Sequence, residues 1–467
     1  MLMLAVAALP ILILVAMLAV FKRPAWEAAL AALAAGAALA MGVLGLPFKS
    51  FVLCALGGAK TGLFPIGLVI VAALFTYAIT EESGAIVEIR SGLSRLSADP
   101  RFFALLVAWG FGNFMEGMAG FGTAVAIPCA ILVGAGFDPV KAVLCCLVAN
   151  TTPTAFGSVG VPTMVLAGET ALDLGRLSAT IALLQLSATA LSPFFILLIV
   201  DGLKGLREKW ALALVADVAF LVPWVLCAST LGCELPNIAG GIATMAVLAL
   251  LGDFRRLDFR RQAWAWMPFL VVVAILGVSA ALPKAYKLSP GILILVAAFL
   301  GGLGQKIRLW RLAQLLATTV RKYFLALLTI CLVLALAKTM GESGMTATLA
   351  AALVKSAGSA YAAVATVVGS LGGFVTGSGT SSNVLFGALQ ASVGANLAEK
   401  FLFAAANVMG AGIGKMLCPQ SIVLGCAAAG LAGSESLVMK RAFRFFVPVL
   451  AVATLATILA RLVFCQP

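Results

Sequence analysis

Gly112-Asn113-Phe114-Met115-Glu116-Gly117-Met118-Ala119-Gly120-Phe121-Gly122 places a carboxylate and four glycines inside an otherwise apolar block. Each glycine weakens a helix by about 1 kcal/mol relative to alanine. A bilayer tolerates irregular backbone only where protein or a water-filled cavity satisfies it. The stretch therefore points to a binding site buried in a membrane protein. It also has an echo. Gly372-Gly373-Phe374-Val375-Thr376-Gly377 repeats the pattern of residues 112–117, and the same displacement carries Glu82-Ser83-Gly84 onto Glu342-Ser343-Gly344. At a nearly equal displacement, Ala149-Asn150, Gly157 and Pro162 fall on Ala406-Asn407, Gly414 and Pro419. A shared register over both sets reads as an internal duplication.

Composition agrees. The chain is 63% hydrophobic and 10% charged, with apolar runs recurring from end to end, as in polytopic membrane proteins. The net charge of +13 reads as Lys and Arg in cytoplasmic loops rather than as a nucleic-acid surface. Ten scattered cysteines show no metal or disulfide spacing, and histidine is absent. An intramembrane enzyme would need a nucleophile with a base, or a metal cluster, and the sequence offers neither. No cofactor or metal is expected. The run Leu2 to Phe21, followed by Lys22-Arg23, reads as a first spanning helix with its N-terminus outside.

Phe102 to Met115 is too short to cross easily, about 21 Å of helix against a core of about 30 Å. It is expected to enter, turn at a tip containing Gly117, Gly120 and Gly122, and return through Ala119 to Gly136; a full crossing by either arm is the alternative. Val140 to Ala171, interrupted at Thr151 to Gly157, reads as a discontinuous helix, the device by which transporters expose backbone dipoles at the midplane. In the second half, Tyr361 to Val393 is the matching hairpin, with its tip from Gly377 to Asn383. Phe401 to Leu431 is the matching broken helix, interrupted around Gly410 to Gly414. Phe48 to Lys60 is expected to lie at the interface, and Ala85 to Leu96 as an amphipathic surface helix.

The expected fold is an all-α polytopic membrane protein of two inverted repeats, each with a re-entrant hairpin and a discontinuous helix. Residues 1–205 form the first repeat, 206–258 a two-helix linker and 259–467 the second repeat. If both hairpins re-enter, each repeat crosses five times and the linker twice, about twelve crossings in all. Most basic loops, from Lys22/Arg23 to Lys440/Arg441/Arg444, then fall on one side, as a cytoplasmic face requires.

Four sets of residues could carry chemistry. Glu116, ionisable at membrane depth, is a functional candidate by default and a natural proton carrier; permanent pairing with a cation, or capping of the tip backbone, is the other reading. Lys415, between Gly414 and Met416, would attract a small carboxylate, unless it snorkels to an interface. Thr376, Ser378, Thr380, Ser381, Ser382 and Asn383 offer hydroxyls and backbone N–H groups as a nest for an oxyanion or hydroxy-acid, or simply pack between helices. Asn150, Thr151 and Thr152 beside Pro153 match them in the first repeat, as Asn407 does in the second broken helix. Glu27, Asp217, Glu234 and Lys338 lie near or within spans and are not assigned a role.

At these residues the sequence resembles the L-lactate permease family of bacterial membrane transporters. The resemblance rests on Gly112-x-Phe114-x-Glu116-Gly117-x-Ala119-Gly120-Phe121-Gly122, on Asn150-Thr151-x-Pro153-x-Ala155-Phe156-Gly157, on Thr376-Gly377-Ser378-x-Thr380-Ser381-Ser382-Asn383, and on Ala406-Asn407 through Gly414-Lys415-Met416 to Pro419-Gln420-Ser421. It implies import of a 2-hydroxy-monocarboxylate, L-lactate, D-lactate or glycolate, with protons across the bacterial inner membrane. Glu116 would couple the proton, and Lys415, the second tip and the asparagines would hold substrate. The partners implied are the carboxylate, protons and the lipid bilayer, with a homodimer left open and no nucleic acid. Gly379 departs from the pattern, because an acidic residue is expected between Ser378 and Thr380. The alternative reading is a sodium-coupled transporter of another organic anion, which sodium dependence of uptake would reveal.

Overall fold

The computed structural model describes residues 2–17, 21, 23–120, 122–253, 257–281, 288–431 and 434–465. Every regular element among them is helical. Among the described residues, six helices are long and apolar enough to cross a membrane, or up to eight when two sharply bent pairs are each counted as a span. Further apolar helices of 10–17 residues include Leu2–Val15, Pro236–Leu251 and Pro290–Gly304. Large apolar side chains such as Leu53, Val222, Leu300 and Leu459 face outward, as lipid contact allows.

The first hairpin descends through Pro100–Ala104, a wider-wound stretch Leu105–Phe111 and Gly112–Met118, turns, and returns as Thr123–Gly134. Asp99 caps its start by accepting from the Arg101 N–H at 2.9 Å. Burial pushes the Asp99 carboxyl up, but Arg101 and Lys209 outweigh it and hold the group below its ordinary range. The turn uses left-handed backbone at Gly120 and Gly122, with φ of 59° and 88°, which L-residues adopt only at a cost. Gly117 is not at the tip as expected. It lies within the helix Gly112–Met118, and a Cβ there would come 2.8 Å from Asn237 Cβ. It is a close-approach glycine.

The second hairpin descends as Tyr361–Thr376 and turns at Gly377, with φ of 64°. Only Gly377 and Ser378 form the tip. The Ser378 hydroxyl accepts from the Ser381 N–H at 3.2 Å, and the returning arm is already helical from Gly379.

Two bent helices face these hairpins. Pro139–Ala149 and Pro153–Thr170 meet at 63°, and Leu397–Lys415 and Pro419–Ala428 at 43°. The first bend contains three consecutive left-handed residues, Ser158, Val159 and Gly160. The second bend lies later than the glycines suggested. Leu397–Lys415 is an unbroken helix, and the chain bends at Met416-Leu417-Cys418. Gly410 and Gly414 instead let the helix lie against Tyr361–Thr376, since a Cβ on Gly414 would overlap the Ser370 carbonyl oxygen and one on Gly410 that of Thr366. Small residues at membrane helix interfaces allow this approach. Phe48–Thr61 is likewise a helix packed on Leu309–Glu342, where a Cβ on Gly58 would overlap the Ala335 backbone.

The hairpins seat crosswise. A side chain on Gly122, at the first tip, would collide with Leu424 of the second bent helix, and one on Gly379 would lie 3.0 Å from Thr154 of the first. The helices Ser192–Thr230 and Pro236–Leu251 buttress the first hairpin. A Cβ on Gly241 would touch the Phe114 backbone at 2.7 Å, and Trp109 and Trp224 pack on Phe220.

Candidate functional site

Glu116 and Lys415 meet where the first hairpin approaches the second bent helix. Lys415 Nζ lies 3.2 Å from Glu116 Oε1, and the two residues are only 2% and 7% exposed. The other carboxylate oxygen accepts from Asn150 Nδ2 at 2.9 Å. Thr154 Oγ1 lies 3.4 Å from the Lys415 ammonium and donates to the Asn150 carbonyl at 2.9 Å. Position follows from local structure. Lys415 ends its helix, where a cation suits the helix dipole, and Glu116 sits one turn before the hairpin tip. Gly157 makes room, because a Cβ there would come 2.6 Å from Glu116 Oε1.

The pair opens on a cavity of about 180 Å³, far more than one water requires. Its walls include Thr376, Ser378, Gly379, Thr380 and Ser381 of the second hairpin and Thr154, Gly157 and Ser158 of the first bend. Gln420 and Ser421, from the first turn of Pro419–Ala428, also line it. That turn offers backbone N–H groups and the positive end of a helix dipole, both suited to a carboxylate. A buried cation with its counter-ion, a ring of hydroxyls and a helix N-terminus can together receive a small hydroxylated anion.

Of the residues singled out in the sequence, Glu116, Lys415, Thr376, Gly377, Ser378, Thr380, Ser381 and Gly122 line this cavity. Asn150, Thr151, Ser382, Asn383 and Asn407 stand behind it, and the side chain of Thr152 lies outside those described. Ser158 ties the first bend to the first tip, donating to the Ala119 carbonyl at 2.9 Å. Thr151 donates to the Val148 carbonyl within its own turn, and Ser382 Oγ lies 3.4 Å from the Gly369 carbonyl. Asn383 and Asn407 belong to a buried chain of amides. Tyr361 donates to Gln390, Gln390 to Asn407, Asn407 to Asn383, and Asn383 to the Pro162 carbonyl, at 3.0, 2.9, 2.9 and 2.9 Å. This chain fixes the second hairpin to both bent helices.

Thr154, Ser158, Gln420 and Ser421 were missed as wall residues, and Asn237 as a support. Asn237 donates to the Pro153 carbonyl at 2.6 Å and accepts from Trp224 Nε1 at 2.8 Å. The spacing Asn150-x-x-x-Thr154 beside Pro153 was a usable signal for Thr154, being one helical turn. Nothing local marks Asn237.

A family model described as L-lactate permease matches residues 4–288 and 270–464. The chain is 35% identical to an L-lactate permease of Streptococcus iniae, covering 84% of this chain and 90% of that protein. It is 32% identical to an L-lactate permease of Bacillus subtilis (strain 168), covering 98% and 96%. It is 30% identical to a glycolate permease of Escherichia coli (strain K12), again covering 98% and 96%. Matched along nearly its whole length, with a helical membrane architecture to fit, the chain belongs to the L-lactate permease family and is a transporter rather than an enzyme.

Proposed function

We propose that this chain imports small 2-hydroxy-monocarboxylates, L-lactate with D-lactate and glycolate beside it, together with protons across the bacterial inner membrane. The names of its relatives supply the substrate class, and a buried ammonium beside a wall of hydroxyls supports it. Transport proceeds by alternating access of two inverted repeats, residues 1–205 and 259–467, joined by the linker 206–258. Two bent helices, two hairpins seated crosswise, and matching left-handed turns at Gly84 and Gly344 support that division.

The observation that carries the reading is the buried Glu116–Lys415 pair on the cavity wall. Empty, the pair is neutral. A carboxylate arriving alone would leave the site with a net negative charge, which is costly at membrane depth. Substrate that takes Lys415 displaces Glu116, and a proton on Glu116 restores neutrality. One anion then travels with one proton. The substrate hydroxyl reaches the Ser378–Ser381 wall, while Asn150 keeps hold of Glu116 in either protonation state.

Uptake of labelled L-lactate into proteoliposomes under an inward proton gradient tests this. Wild type should accumulate lactate above equilibrium, whereas Glu116→Gln should exchange it without accumulation. Accumulation by the variant equal to wild type, or accumulation driven by sodium alone, would overturn the reading.

A further inference from the structure

A second cavity, of about 130 Å³, lies between Glu169, Lys338, Thr346, Val384, Leu385 and Ala388. Three separate elements carry residues of both cavities. Pro153–Thr170 lines the first with Pro162 and the second with Glu169, and Leu309–Glu342 lines them with Ile330 and Lys338. The returning arm of the second hairpin lines them with Ser381 and Val384. On each of the two long helices the step is about two turns, or about 10–12 Å. The cavities therefore follow one another along a single seam. On the orientation set by the basic loops, the first faces the cytoplasm and the second the outside.

The partition between them is thin and specific. Asn383 Nδ2 donates to the Pro162 carbonyl at 2.9 Å, and a Cβ on Gly387 would overlap the Leu166 side chain. Val333 and Leu334 are buried at the same level of Leu309–Glu342. On the far side Lys338 is half-buried, its ammonium bonded to two neutral acceptors, Gly57 O at 3.2 Å and Thr61 Oγ1 at 3.1 Å. An ammonium has three donors, so it can turn one towards an anion in the cavity.

We propose that this second cavity is the outer mouth of the substrate route, closed from the central site in this structure, and that Lys338 is the residue that receives the substrate carboxylate there. It rests on the carboxylate-import reading above. Lys338 and Lys415 form successive stations for the same anion, and the Asn383–Pro162 bond parts when the outer side opens. Glu169, on the facing wall, opposes an incoming anion and limits how long it dwells.

Sided transport kinetics decide the matter. L-lactate uptake is measured in right-side-out and inverted membrane vesicles carrying wild type, Lys338→Met, Lys338→Arg and Glu169→Gln. Lys338→Met should raise the KM read from the outside about tenfold, the loss of one charge-assisted contact, and leave the inner KM within about twofold. Lys338→Arg should restore the outer KM, and Glu169→Gln should lower it. An outer KM unchanged in Lys338→Met, or both KM values raised alike, overturns the proposal. Wild type that carries no lactate defeats the substrate reading instead. A labelling measurement then judges the outer mouth independently. Thr346→Cys, treated from outside with impermeant thiol reagents, should react faster with an anionic than a cationic reagent, and Lys338→Met should abolish that preference. No outside labelling above the parent chain, or a preference indifferent to Lys338, overturns it.

Discussion

Glu116 and Lys415, 299 residues apart in the chain, form a buried ion pair at 3.2 Å. Removing one member of such a pair strands a charge and typically costs about 3–5 kcal/mol, whereas replacing both with neutral groups is often tolerated. The pair also has to part during transport if substrate and proton exchange places on it. Stability and transport should therefore respond differently to the same substitutions.

Glu116→Gln and Lys415→Met should each lower the thermal midpoint of the detergent-solubilised protein, and the double variant should recover much of that loss. Uptake should behave as a unit, with the double variant no worse than the poorer single. A transport defect equal to the product of the two single defects would mean that the residues act independently, and the coupling scheme would fail.

How much of this was legible in the sequence depends on what each residue costs. Glu116 and Lys415 stood out because charge at membrane depth is expensive and has to be explained. Their meeting did not, since it depends on crosswise seating of the two hairpins that only the folded chain shows. The glycines divided. Gly120, Gly122 and Gly377 adopt left-handed backbone at the turns. Gly117, Gly410 and Gly414 looked the same in the sequence but serve close packing inside helices. Glycine weakens a helix and also lets a neighbour approach, and spacing alone does not separate the two uses. Asn237 was invisible for another reason, since a lone amide at the start of Pro236–Leu251 acquires meaning only through the Pro153 carbonyl it reaches.

The packing role of Gly414 can be tested against a glycine with free space. Gly414→Ala would drive a methyl into the Ser370 carbonyl, while Gly168, also helical, has nothing within 4 Å of its would-be Cβ. Overpacking typically costs about 1–3 kcal/mol or more when backbone is the obstacle, whereas Gly→Ala in an open helix gains up to about 1 kcal/mol. Gly414→Ala should therefore lower the thermal midpoint and the yield of folded protein, and Gly168→Ala should leave them level or slightly raised. Equal midpoints for the two variants would return Gly414 to the role of helix breaker.

Gly379 gives the last prediction, because it lines the same cavity as Lys415, at a position where the family resemblance anticipates an acid. A Cβ there would sit 3.0 Å from Thr154 Cγ2 and 3.8 Å from Pro162 Cβ, so a small side chain fits with a slight shift of the threonine. Gly379→Asp would place a second carboxylate in a site where the Lys415 ammonium already has Glu116. Two like charges about 5 Å apart repel by about 3 kcal/mol at an effective dielectric constant near 20. An anionic substrate would bear part of that repulsion. The KM for L-lactate should rise about tenfold at pH 8 and fall back as the medium is acidified and the new carboxyl takes a proton. Gly379→Asn, of nearly the same shape but uncharged, supplies the steric effect alone and should show no such fall. If the Asp and Asn variants keep the same KM at every pH, the Lys415 ammonium is not where the substrate carboxylate binds.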